Sequence, residues 1–321
     1  MIDPLERWTE YGEKPDFAGL LTYGGVPCTQ DAAELAGVDV AIVGAPTDDL
    51  VSDRPGTRFA PRAIRAASCP PGPHMQTRVD AFAALKIVDF LDAPVLPADW
   101  RKSHAAIEQT VAAVHAAGAI PITLGGDHSI AEPDIRAAAA AHGPVGLIHF
   151  DTHTDTGQAV FGVEVSHGTP MYRLVESGQI DPQRYVQIGL RGYWPGAKEF
   201  AWQDERGITA IPMHEVRSEG IERAVGRALA KVGDGPTFLS VDIDVVDPAF
   251  APGTGTPEPG GMTSAEILDA CRLVAAGAAL IGAELVEIIP TAIGSADITA
   301  LLGDRIVREI LGGIAERRLS F

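Results

Sequence analysis

The stretch Val145-Gly146-Leu147-Ile148-His149-Phe150-Asp151-Thr152-His153-Thr154-Asp155 changes character after its sixth residue. The first half is almost continuously apolar, the pattern of a strand covered on both faces. The second half alternates acid or imidazole with threonine. In an extended chain Asp151, His153 and Asp155 project to one side. A buried strand ending in a polar cluster predicts a parallel sheet with a site at its edge.

Working outward, short β-rich runs recur at 38–44, 86–90, 119–124, 145–151, 185–190, 208–211, 237–242 and 281–287. Helical patterns fall at 61–68, 102–117, 131–141, 219–232, 264–277 and 295–317. Ser103 is expected to cap the second helix and Gly118 to end it; Thr263 or Ser264 with Glu266 opens the fifth. This alternation predicts an α/β fold, a mainly parallel sheet with helices on both faces. The segment 1–35 is irregular, with scattered Pro and Gly, and is expected to wrap the surface or pack on a neighbouring subunit. Residues 36–321 then form a single domain, with no internal repeat.

Composition narrows the function. The formal net charge is −18, which disfavours a nucleic-acid backbone as partner and favours cations. No apolar run is long enough to span a membrane, and no secretory pattern opens the chain. Cys28, Cys69 and Cys271 are far apart and odd in number, so neither a disulfide framework nor a thiolate metal site is expected. A cytoplasmic location is the simplest expectation.

Two further clusters follow predicted strands. Gly125-Gly126-Asp127-His128-Ser129 follows 119–124, and Ser240-Val241-Asp242-Ile243-Asp244-Val245-Val246-Asp247-Pro248 closes 237–242. The carboxyl ends of parallel strands are where ligands bind. Each cluster alone has a plain structural reading, as a capping turn or a loop. Together they gather carboxylates and imidazoles that would repel one another and pay for desolvation. Divalent cations remove that cost, and bridging carboxylates suit two ions roughly 3.5–4 Å apart. An oxygen-rich set with imidazoles and no thiolates favours Mn²⁺, with Ni²⁺, Co²⁺ or Zn²⁺ as options.

These motifs resemble the ureohydrolase (arginase/agmatinase) family over residues 38–317. The most specific stretch is SVDIDVVDPAFAPGTGTPEPGG, Ser240 to Gly261. Gly44-Ala45-Pro46-Thr47-Asp48-Asp49, Arg54-Pro55-Gly56-Thr57-Arg58-Phe59, His167-Gly168-Thr169-Pro170 and Val286-Glu287-Ile288-Ile289-Pro290 also match. The resemblance implies a three-layer αβα fold with an eight-stranded sheet, and a homotrimer or homohexamer. It implies two cations, one on His128, Asp151, Asp155 and Asp242, the other on Asp151, His153, Asp242 and Asp244. It implies cleavage of a guanidino compound to urea and an amine. Asp155 and His167 would handle protons, and Glu287 would hold the guanidinium as a fork. His149 is expected to be a satisfied core residue.

The loop 157–166 is largely apolar, which argues against arginine as substrate. Glu164 and the acidic balance point to agmatine, a dication. A guanidino acid such as 4-guanidinobutanoate would need a cation at its tail, with Arg173 or Arg191 as candidates. Thr152 and the apolar loop also suit a small pocket for free or substituted guanidine. Two other readings are a formimidoyl-substrate hydrolase and a non-catalytic partner subunit; the latter predicts damaged ligands, and all six are present.

Overall fold

The computed structural model describes residues 1–12, 14, 15, 17–69, 72–291 and 297–320. Its strands are β1 (Val40–Ala45), β2 (Ile87–Asp92), β3 (Ile120–Gly125), β4 (Val145–Phe150), β5 (Ile180–Ile188), β6 (Thr209–Ile211), β7 (Thr237–Asp242) and β8 (Leu280–Val286). They form one sheet in the order β2-β1-β3-β8-β7-β4-β5-β6, and the neighbours pair in parallel. The chain leaves β3, skips two places to lay down β4, and returns at the end to fill the gap with β7 and β8. The carboxyl ends of β3, β8, β7 and β4 therefore lie side by side. Clusters far apart in sequence meet there.

The helices are α1 (Ala60–Ala67), α2 (Ala81–Ala84), α3 (Trp100–Ala116), α4 (Ala131–His142), α5 (Pro170–Glu176), α6 (Ala197–Arg206), α7 (Met213–Glu219), α8 (Ile221–Val232), α9 (Ser264–Gly277) and α10 (Ile298–Leu319). Alternation along each strand sends successive side chains to opposite faces. Ile42, Ile122, Phe150, Val241 and Leu285 pack with Ile64 of α1, Ala228 of α8, Val274 of α9 and Ile306 of α10. Ala41, Val43 and Val88 meet Ile107 and Val111 of α3, while Leu147, Tyr185 and Phe238 meet Ile135 of α4 and Leu174 of α5. That is the three-layer arrangement. Each fully buried Ile, Leu or Val contributes about 1.5–3 kcal/mol.

A polar row interrupts the second face. Thr123, Glu284, Ser240, His149 and Gln187 lie in register across β3, β8, β7, β4 and β5, and all are buried. They form a layer directly under the carboxyl edge.

The expected strands are present with ends shifted; β5 begins at Ile180, earlier than the apolar run implies. Thr263 and Glu266 make a reciprocal capping box on α9. Asp99, not Ser103, caps α3, by accepting from the Lys102 amide, and Ser103 instead bonds Leu96. The expected helix 219–232 is α8, which starts two residues late at Ile221 because Gly220 at φ 87° separates it from α7. Helices α2, α5, α6 and α7 lie outside the expected ones; at four to ten residues they are too short for the apolar period to show. The first two residues of the expected helix 295–317 lie outside the described residues, and α10 begins at Ile298. The opening segment is tied to the β2 edge by bridges from Ile2 to Cys28 and from Cys28 to Asp89.

Candidate functional site

Three strand ends aim their acids inward. After β7, the Asp242 Oδ1 accepts from the Asp244 amide at 2.8 Å, closing a short turn that returns Asp244 to the same side. After β4, Asp151 Oδ1 accepts from the His153 amide at 2.5 Å, and Asp244 Oδ1 accepts from the Thr152 amide at 3.2 Å. After β3, Asp127 accepts from the Ser129 amide and caps the turn that swings His128 in. Asp127 itself is therefore a turn-former. Asp155 and Glu287 hold left-handed φ of 50° and 64°, unusual for residues with a Cβ. Backbone strain of this kind collects at functional sites.

The side chains converge as follows. His128 Nδ1 lies 3.2 Å from Asp151 Oδ2, 2.9 Å from Asp155 Oδ2 and 3.3 Å from Asp242 Oδ2. His153 Nδ1 lies 3.0 Å from Asp244 Oδ2 and 3.6 Å from Asp151 Oδ1. Asp151 thus turns one oxygen to each half of the cluster. His128 Nε2 is 2.8 Å from Ser240 Oγ, which leaves Nδ1 for the carboxylates. Nδ1 is buried, yet in hydrogen-bond geometry with none of them. It points between the oxygens, where a cation would sit.

The electrostatics agree. Burial opposes charge on His128, but Asp151, Asp155 and Asp242 outweigh it and raise its pKa well above the ordinary value. Burial likewise opposes charge on His153, and Asp244 leads the groups that push it up to about 11. Burial, then Asp244 and Asp151, hold the Asp242 carboxyl far above the usual range. The shared cause is a surplus of buried negative charge, which divalent cations would neutralise. Buried donors, oxygen-rich composition and the unpartnered Nδ1 fit two such ions.

A cavity of about 400 Å³ opens over the cluster. Asp155, Asp242, His153 and His167 line its inner end, and Ala159, Val160, Phe161 and Trp194 its walls. His167 Nδ1 is 2.9 Å from Glu287 Oε1, and its Nε2 lies 3.0 Å from the Ser52 amide nitrogen and 2.7 Å from Ser52 Oγ. Burial lowers the His167 pKa, but the Glu287 carboxylate wins and holds it up at about 9. Glu287 Oε1 also accepts from the His128 amide at 2.8 Å. Its other oxygen, Oε2, is buried without a partner among the described residues.

The structure thus brings together His128, Asp151, His153, Asp155, Asp242, Asp244, His167 and Glu287. Glu164 does not join them: it is exposed and outside the cavity lining, to which its loop contributes Ala159, Val160 and Phe161 instead. Arg173 is paired with Glu132 at 2.8 Å, and Arg191 donates to the carbonyls of Asp244, Val245 and Glu258. Neither lines the cavity, so neither is free for a substrate carboxylate. Arg58 braces the 48–58 loop through Asp48 and Asp49. Ser52, Trp194 and Thr256 line the cavity without having been singled out. Thr256 Oγ1 reaches Asp244 Oδ2 at 3.3 Å, and its place inside the most specific stretch was the available signal. No motif marked Ser52 or Trp194.

The Arginase family profile matches residues 38–312. A guanidinopropionase of Pseudomonas aeruginosa is 42% identical, aligned over 95% of this chain and 94% of its own. A guanidinobutyrase of the same organism is 40% identical over 93% of each chain. Among solved structures, the proclavaminate amidino hydrolase of Streptomyces clavuligerus superposes with a TM-score of 0.88 at 34% identity, covering 95% of this chain and 100% of that one.

Proposed function

This chain is a member of the arginase family, and from that footing we propose that it is a two-cation hydrolase cleaving a small guanidino compound to urea and an amine. The observation that carries this reading is Glu287. It is a buried carboxylate with one oxygen spent on His128 and His167, and the other free beside the acid cluster. A guanidinium offers N–H donors in a planar fork that suits such an oxygen.

His128, Asp151, Asp155 and Asp242 would hold one ion, and Asp151, His153, Asp242 and Asp244 the other. Mn²⁺ is the first candidate and Ni²⁺ the second. When bound, the pair supplies an activated water near neutral pH, since a bound cation lowers the pKa of water to about 7. The chain's own groups do the rest. Glu287 orients the guanidinium carbon towards the cluster. Asp155 takes a proton at its carboxylate and passes it to the departing nitrogen. His167 exchanges protons with the cavity through Nε2, beside Ser52.

The cavity also speaks to the substrate's tail. Its walls are apolar, and among the described residues no Lys or Arg is in the lining. A short aliphatic tail fits there, with any charged end left in water at the mouth. Agmatine is the first choice, now on the long-range field of a chain with net charge −18, not on Glu164. A guanidino acid is the second reading, favoured by the names of the two Pseudomonas relatives. Initial rates on agmatine, 4-guanidinobutanoate, 3-guanidinopropanoate, methylguanidine and guanidine separate the two. A lead of agmatine in kcat/KM that shrinks as salt rises supports steering; a lead of a guanidino acid at every salt concentration overturns the agmatine choice.

A further inference from the structure

The loop bearing Asp151 and Asp155 is held from beneath by groups the chemistry above does not use. Gln187 Nε2 donates to the Thr154 carbonyl at 2.7 Å and to Tyr185 Oη at 2.8 Å. A carbonyl only accepts, so it fixes which end of the Gln187 amide carries the hydrogens. Tyr185 Oη, accepting from Gln187, directs its own hydrogen to His149 Nδ1, 3.0 Å away. That makes Nδ1 the acceptor nitrogen and places the ring's hydrogen on Nε2. Nε2 lies 2.9 Å from Asp151 Oδ2. Gln187, Tyr185 and His149 are all fully buried. The chain of bonds begins one residue before Asp155 and ends on Asp151, so it closes across a single loop.

We infer that His149, fixed in one tautomer by Tyr185 and Gln187, is a positioning residue for Asp151. His149 could itself be taken for a ligand, since it clusters with His128 and Asp151. Its two nitrogens are already committed, one giving a hydrogen and one receiving it. Its effect is on rotation. Asp151 Oδ2 faces His128, and Oδ1 faces His153. A bond that pins Oδ2 keeps the carboxylate spanning both halves. Oδ1 is also held by the His153 amide, so loss of the His149 bond would loosen the carboxylate about Cβ–Cγ rather than free it. The inference rests on the two-cation reading, and partners of this kind typically change metal affinity by about 10–100-fold.

The test is Mn²⁺ titration of the full chain, read by loss of the free-ion signal and by the spin-coupled spectrum of paired Mn²⁺. His149→Gln keeps an N–H donor at similar reach; His149→Met keeps bulk without one; Tyr185→Phe removes a single oxygen and carries the test should the Met variant fail to fold. The expected result is near-wild-type binding for Gln, and affinity about 10–100-fold weaker with loss of coupling for Met. Tyr185→Phe should shift in the same direction by less. Wild-type affinity and coupling in both Met and Phe variants would overturn the inference. A wild-type chain that takes up no Mn²⁺ fails the two-cation reading, and the inference with it.

Discussion

Glu287 bonds both the His128 amide of the cluster and His167 of the cavity lining, which makes it the most informative single residue. Glu287→Gln removes the charge while keeping the shape. kcat/KM on the preferred guanidino substrate should fall by about 10–100-fold, the range for a hydrogen bond to a charged group. Glu164→Gln, by contrast, should change kcat/KM by less than about 2-fold, since an exposed charge is screened. Steady-state kinetics on both variants checks the pair, and a large effect at Glu164 would return that side chain to the site. At this scale the sequence was most legible where polar residues had no structural excuse. Asp151, His153 and Asp155 alternate past an apolar strand, and that spacing exposed them. Ser52 and Trp194 carry no such mark. Their place depends on how two loops fold back over the sheet, which spacing along the chain does not encode.

At the scale of elements, the sheet was readable because buried parallel strands are plain apolar runs. The helix ends were partly readable. Thr263 with Glu266 stands in the sequence as a capping box and forms one. Thr263→Ala should lower unfolding stability by about 1 kcal/mol without changing KM, because α9 packs against the sheet away from the cavity. Denaturant unfolding beside kinetics decides this; a shift in KM would mean that α9 shapes the site. Gly220 shows why the expected helix 219–232 starts two residues late. Its left-handed φ of 87° ends α7 at Glu219 and lets α8 begin at Ile221, a boundary the apolar period does not mark. The order of strands was not legible at all. Nothing in the sequence says that β7 and β8 fill the gap between β3 and β4, yet that insertion brings Asp242 beside His128.

Surplus negative charge at the cluster sets the whole molecule's response to pH. Glu287 holds His167 up at about 9 and Asp244 leads the groups that push His153 up to about 11, both above an unfolded value of about 6.5. A raised folded pKa stabilises fully below about 6.5, and that contribution is lost as pH climbs through 9 and 11. The metal-free protein should therefore lose Tm steadily from neutral to alkaline pH. With Mn²⁺ bound, protons compete for the ligands and the loss moves to the acid side. Thermal melts across pH, with and without Mn²⁺, should diverge most at high pH; parallel curves would contradict this. The most direct test of the central claim is urea release from the guanidino panel by Mn²⁺- or Ni²⁺-loaded protein, beside Asp242→Ala. The account predicts urea from at least one substrate and none from the variant. No urea with either metal, or undiminished urea from Asp242→Ala, would contradict it.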